Sequence, residues 1–432
     1  MNKQNDIDSL IAFLDRSPTA WHAVENLREE LRKAHFQELH EGDSWKLTPG
    51  GRYYLTRNGS TLCAFVMPTG SPKSLRLLGS HTDSPAFKLK PQAEFLKENM
   101  LMLGVEIYGG PLLTSWLNRD LGIAGRVVLR DKKGHLRTEL VTLDQNPVVI
   151  PQLAIHLDRT VNEDGLKLQK QEHLAALAAL DIEADKKSGK THYLETLLKE
   201  QYSFEEWVSG ELFLYPLEGA RLMGYQKQMI SSYRLDNLAS VFASAQALLG
   251  IKKPSKDQLQ MAFFWDNEEV GSGTAQGAHS PFLMQTLERI CLASKIEREG
   301  FLRLLSQGIC LSVDLAHALH PNYNDKHEPR HPTLMNKGIV LKTNAQQRYA
   351  SDAVTTGLIA GLCKERKIPF QYFIPRNDIP SGSTIGPINA QVTGMTTLDL
   401  GCVELSMHSA RELAAVEDLM NLTKLLGAFL GG

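Results

Sequence analysis

The sequence lacks paired cysteines: Cys63, Cys291, Cys310, Cys363 and Cys402 are odd in number and scattered, with no C-x-x-C unit. That argues against a zinc finger, a zinc ribbon or a disulfide framework, and points to buried thiols in a reducing cytoplasm. No segment reaches the roughly 20 apolar residues that span a bilayer. Lys3, Asp6 and Asp8 interrupt the apolar residues between Met1 and Leu14, so no signal-peptide core is expected. Neither sign of charge is in excess. With 47 Lys plus Arg against 49 Asp plus Glu, neither nucleic acid nor an anionic membrane surface is an expected partner. Internal repeats and low-complexity tracts are also missing.

What is present is enough apolar material for a large core: 432 residues at 42% hydrophobic content predict two domains. Ser17-Pro18-Thr19 reads as a helix start, and Trp21, Val24, Leu27 and Leu31 then repeat at helical spacing. Arg52 to Arg57 and Ser60 to Met67 read as a hairpin turning at Asn58-Gly59. Leu75 to Leu78 is a short buried strand, with His81 just beyond its end. Between about Lys90 and Tyr233, β-prone pieces such as Gly125 to Arg130 and Leu212 to Tyr215 alternate with glycine turns and a polar stretch, Val161 to Lys190. Past Tyr233, the apolar runs Leu259 to Trp265, Ile309 to Val313 and Phe370 to Ile374 are separated by helical segments such as Asp236 to Leu249 and Ala350 to Glu365. The expected fold is α/β: a mixed sheet flanked by helices, formed by residues 1–90 and 234–432, interrupted by an inserted β-rich domain at 91–233.

Four candidate positions fall beyond strand ends, where open α/β sheets gather functional groups: His81, Glu268-Glu269, Asp314 and His408. Asp236 opens a helix. Taken singly, each has an ordinary turn or capping explanation. Together, two histidines and three carboxylates suit two divalent metals if one carboxylate bridges, leaving positions for water and substrate. Nitrogen and oxygen donors without thiolate fit zinc, with manganese or cobalt as substitutes. In His81-Thr82-Asp83, Asp83 is placed to accept from the distal ring nitrogen of the histidine and fix its tautomer. Glu268-Glu269 is a common pair on solvated loops, but in a dry pocket the two charges require a cation. Glu269 can then ligate while Glu268 stays free to take a proton from metal-bound water, since neighbouring side chains in an extended segment point different ways.

These residues stand in runs that resemble the aspartyl aminopeptidase (M18) family of metallopeptidases: His81-Thr82-Asp83-Ser84-Pro85, Arg234-Leu235-Asp236-Asn237, Asp266 to Ser272, Ala316 to Tyr323 and Met407 to Glu412. Tyr108-Gly109-Gly110, Ile155-His156-Leu157, Gln347-Arg348-Tyr349-Ala350 and Gly382 to Pro387 extend the likeness over nearly the whole chain, in order. The chain departs from the family pattern at Asn118 and Ser381, neither of them a proposed ligand.

The resemblance implies a zinc-peptidase-like catalytic domain with a dimerisation insert. Asp236 becomes the bridging ligand, with His81 and Asp314 on one metal, Glu269 and His408 on the other, and Glu268 the general base. His320 is implied at the substrate or its oxyanion, and His156 at a neighbouring subunit's active site. Preference for an N-terminal Asp or Glu needs a cation, for which Lys342 comes before Arg348 and Arg376. Some members of the family prefer neutral, bulky residues instead. The family also implies a homo-oligomer, a dimer-based dodecamer acting on short peptides. Two rivals stand beside this reading: another two-metal hydrolase, such as a deacylase or carboxypeptidase, and a cargo or assembly protein without catalysis.

Overall fold

The computed structural model describes residues 3–185 and 191–431, so the last five residues of the polar stretch read at Val161 to Lys190 lie outside the described residues. The chain divides into two compact units. One comprises Met1–Asp83, Ala220–Met407 and Glu412–Gly432; the other comprises Ser84–Gly219 and His408–Arg411.

The first unit is built on a nine-stranded mixed sheet. Its order is Gln37–Glu38, Arg52–Arg57, Thr61–Val66, Gln258–Trp265, Ser74–His81, Gly308–Val313, Thr396–Gly401, Ile339–Lys342 and Phe370–Phe373. The central strands Gln258–Trp265, Ser74–His81, Gly308–Val313 and Thr396–Gly401 run parallel to one another. Both faces of these strands are covered, which is why they read as unbroken apolar runs rather than as alternating ones. Along Gln258–Trp265, Ala262 and Phe264 pack on one face with Leu238, Val241 and Leu248 of the helix Leu235–Leu249. Leu259, Met261, Phe263 and Trp265 pack on the other with Phe282, Leu287 and Ile290. The turn at Asn58-Gly59 takes positive φ at both residues (53° and 68°), joining Arg52–Arg57 to Thr61–Val66 as an antiparallel hairpin. The helix read after Thr19 spans Ala20–Lys33 and buries Trp21, Val24, Leu27 and Leu31. A smaller five-stranded sheet in this unit orders Arg221–Met223, Met229–Ser232, Glu412–Ala415, Val403–Leu405 and Ala316–His317.

The second unit is a six-stranded antiparallel sheet: Leu136–Val148, Leu121–Arg130, Glu206–Pro216, Ala86–Lys97, Met100–Tyr108 and Ala176–Leu180. Its core includes Phe87 edge-on to Trp116, ring centroids 4.9 Å apart. Among the described residues no helix of either unit is long and apolar enough to cross a membrane.

Candidate metal centre

His81 is the final residue of its strand rather than a residue beyond it, and lies in register with Trp265 on the neighbouring parallel strand. The Thr82 amide donates to the Trp265 carbonyl at 2.7 Å, and the Thr82 hydroxyl donates to the Ser60 carbonyl at 2.7 Å. These bonds hold the two strand ends level. Asn267 then turns the chain with φ 61°, a conformation asparagine tolerates better than most side chains. The turn brings Glu268 and Glu269 beside Asp83. One Asp83 carboxylate oxygen accepts the Glu268 amide and the other the Glu269 amide, each at 3.1 Å.

Asp236 precedes the regular part of its helix: Asp236 (φ −79°, ψ 105°) and Asn237 (φ −125°, ψ 22°) are non-helical, and the peptide between them is cis. Four hydrogen bonds fix this segment. The Asn237 side-chain amide donates to the Val313 carbonyl at 2.9 Å, directly before Asp314. The Asp236 amide donates to Glu412 Oε2 at 3.0 Å. The buried Arg234 guanidinium donates to the Thr82 and Pro18 carbonyls.

The result is a dense cluster of acids around one imidazole. His81 Nε2 lies 3.5 Å from Asp236 Oδ1 and 3.6 Å from Asp314 Oδ1, and all three side chains are buried. His81, Glu268 and Glu269 form a second grouping of donor atoms, all within 4.8 Å of one another. Ligands at about 2.0–2.1 Å from a tetrahedral zinc lie about 3.4 Å apart, close to the His81 spacings. On its other side, His81 Nδ1 is 3.1 Å from the Asp83 carbonyl and 3.3 Å from Asp83 Oδ1. Those acceptors hold a proton on Nδ1 and turn Nε2 toward Asp236 and Asp314. The residues therefore fit a divalent cation.

Charge in the cluster follows from this crowding. Burial alone would lower the His81 pKa, but Asp236, Asp314 and Asp83 raise it well above the ordinary imidazole value. Burial, with Asp314, Glu269 and Asp83 adding to it against the opposing effect of His81, raises Glu268 well above the usual carboxylate range. Burial of this kind favours the protonated carboxyl over the bare carboxylate.

The other predicted positions are spread over both units. Lys342 is buried, its ammonium 2.6 Å from the Leu315 carbonyl and 3.7 Å from Asp314 Oδ2. Arg348 is exposed, and Arg376 is engaged by Asp378 at 2.7–2.8 Å. His320 is half-buried, and its Nδ1 accepts the Asn322 amide at 3.2 Å. In the second unit, His408 has φ 65° and its Nδ1 lies 3.1 Å from the Gly110 carbonyl, which again places the proton on Nδ1. His156 sits on an exposed stretch of that unit, between exposed Ile155 and Leu157. Sequence reading assigned no role to Arg234 or Glu412, which hold the Asp236 segment. Their only signal was membership of the same short runs as Asp236 and His408.

Residues 13–430 match the model of the family described as Aminopeptidase I zinc metalloprotease (M18). The chain belongs to the M18 family. A Pseudomonas syringae pv. syringae protein named Probable M18 family aminopeptidase 2 is 40% identical over 428 residues, 97% of this chain and 96% of that relative. A Streptomyces avermitilis protein of the same name is 40% identical over 430 residues, 98% and 97% of the two chains. Among solved structures, the chain is similar to one described as the Ape4 and Nbr1 complex (TM-score 0.95, 35% identity, 99% of this chain and 86% of that one). It is also similar to a Saccharomyces cerevisiae mApe1 dodecamer (TM-score 0.87, 28% identity, 100% and 97%). The M18 protein thus has a zinc-peptidase-like α/β fold and is a metalloaminopeptidase, a hydrolase with a metal cofactor.

Proposed function

We propose that this M18 metalloaminopeptidase works with two divalent ions, zinc in the first instance, and removes acidic N-terminal residues from short peptides. The observation that carries the reading is the placement of His81 Nε2 between Asp236 and Asp314, with Glu268 and Glu269 held together on Asp83. By resemblance to the family, Asp236 would be shared between the ions, His81 and Asp314 would hold one, and Glu269 and His408 would hold the other. The His408 tautomer, with its proton on Nδ1, suits a ligand through Nε2.

When bound, the ions acidify water and polarise the scissile carbonyl. Glu268 accepts the water proton during attack and returns it to the departing amine. His320, whose Nδ1 is occupied as an acceptor, carries its proton on Nε2 when neutral and donates it to the developing oxyanion. Asp83 fixes both His81 and the Glu268–Glu269 backbone.

Lys342 supplies the charge that an acidic side chain needs, because a carboxylate buried without a partner is costly. Its contact with Asp314 favours a second reading, a pocket for neutral, bulky residues. Values of kcat/KM for Asp-, Glu- and Leu-terminated amides distinguish the two: the acidic reading requires Asp or Glu to lead.

Exposed Leu153, Ile155 and Leu157 around His156 support assembly through the second unit, and the dodecameric relative makes a dodecamer the expected state, with His156 reaching a neighbouring subunit's site. Five buried thiols without disulfides fit the cytoplasm.

A further inference from the structure

Two runs singled out in the sequence, Gln347 to Ala350 and Gly382 to Pro387, contribute no metal ligand, yet both converge on one buried carboxylate. Asp399 lies on the strand Thr396–Gly401 and has no exposed surface. One of its oxygens accepts the Ala350 amide at 2.7 Å, and the other accepts the Thr384 hydroxyl. Its own amide donates to Ser351 Oγ at 3.0 Å. Thr384 is in turn the N-cap of the helix Ile385–Thr393.

Gly386 explains how the carboxylate fits. A Cβ at that position would lie 2.3 Å from each Asp399 oxygen, so the helix can approach Asp399 only if residue 386 has no side chain. Two further bonds tie the segments to each other: Ser381 Oγ donates to Tyr349 Oη at 3.1 Å, and Ser383 Oγ donates to the Arg348 carbonyl at 3.3 Å. The Tyr349 ring centroid lies 5.5 Å from the Lys342 ammonium, whose charge also acts on Asp399.

A carboxylate is the side chain this junction calls for. The Ala350 amide can only donate, and the Lys342 charge also acts on Asp399; asparagine would keep the amide contact and turn its NH2 to the Thr384 hydroxyl, but would lose the charge that interacts with Lys342.

We propose that Asp399 is a positioning residue for substrate capture, holding the 343–351 loop and the 381–386 turn in one arrangement around the Lys342 ammonium. It rests on the reading of Lys342 as the group facing the substrate's N-terminal side chain. Its effect is therefore on binding of that side chain rather than on metal or proton transfer.

The test compares Asp399→Asn, Gly386→Ala and the double variant with wild type, all zinc-loaded, on Asp-, Glu- and Leu-terminated amides, with bound metal measured on each preparation. Each single variant is expected to raise KM for the substrate that wild type prefers by about tenfold, with kcat changed by less than about threefold and metal content retained. The double variant is expected to be little worse than either single one, because both disrupt the same contact. Equal loss of kcat and metal would show that Asp399 acts on the metal centre, and an unchanged KM would show that it positions nothing; either overturns the proposal. If Asp399→Asn does not fold, Gly386→Ala, which leaves every charge in place, decides the matter. A wild-type preference for Leu would overturn the acidic reading alone, because the KM comparison is made on whichever substrate wild type prefers.

Discussion

Asp83 and Glu268 are 185 residues apart in sequence, yet the Glu268 amide donates to Asp83 Oδ1 at 3.1 Å while Asp83 Oδ2 takes the amide of Glu269. One carboxylate thus sets the backbone of both glutamates, and it also faces His81 Nδ1 at 3.3 Å. The proposed division of labour between the two adjacent glutamates rests on this grip.

Replacing Glu268 with Gln keeps the shape and the amide contact to Asp83 but removes the proton acceptor. Turnover is expected to fall by roughly 10²–10⁴-fold with bound metal unchanged, as read by steady-state hydrolysis and metal analysis on one sample. A variant of near wild-type rate would remove Glu268 from the mechanism.

Replacing Asp83 with Asn leaves only one oxygen for two amide donors and weakens the acceptor on His81. Metal affinity is expected to drop by roughly 10–100-fold, measured by competition with a chelator, and activity should return at high zinc. Unaltered affinity would mean that Asp83 does not orient His81.

Acid stability is expected to depend on His22. Burial, followed by the charge of Arg234, lowers its pKa from 6.5 to about 4, so the folded state favours the neutral ring. The unfolded chain therefore binds more protons between these values. The stabilisation is fully present above pH 6.5 and is lost as pH falls toward 4, at most about 3 kcal/mol. Melting temperatures of wild type and His22→Gln between pH 7 and about pH 4 should converge toward acid; parallel curves would contradict the assignment.

Much of the scaffold was legible because its central strands are covered on both faces. Phe263 and Phe264 both find buried neighbours, so the run Leu259 to Trp265 is continuous, and the groups at its end stand out. The Asn58-Gly59 turn was legible because few residue pairs accept positive φ at both positions. Side-chain partnerships across the chain were not. Nothing around Lys342 announces that its ammonium rests against Asp314, and nothing around Asp83 announces two amide donors 185 and 186 residues away. The long strands Ala86–Lys97 and Leu136–Val148 mix charged and apolar residues, because much of each is not buried, so their full length left no periodic signal. Nothing in the run Gly382 to Pro387 announces that Gly386 makes room for Asp399.

The central claim is that two ions share Asp236. The most direct measurement is a zinc titration of metal-stripped protein, following bound metal and hydrolysis of an Asp-terminated amide in the same samples. Full activity is expected only when two equivalents per chain are bound, with Asp236→Asn weakening both sites. Full activity at one equivalent, or loss of a single ion in Asp236→Asn with the other site unaffected, would contradict it.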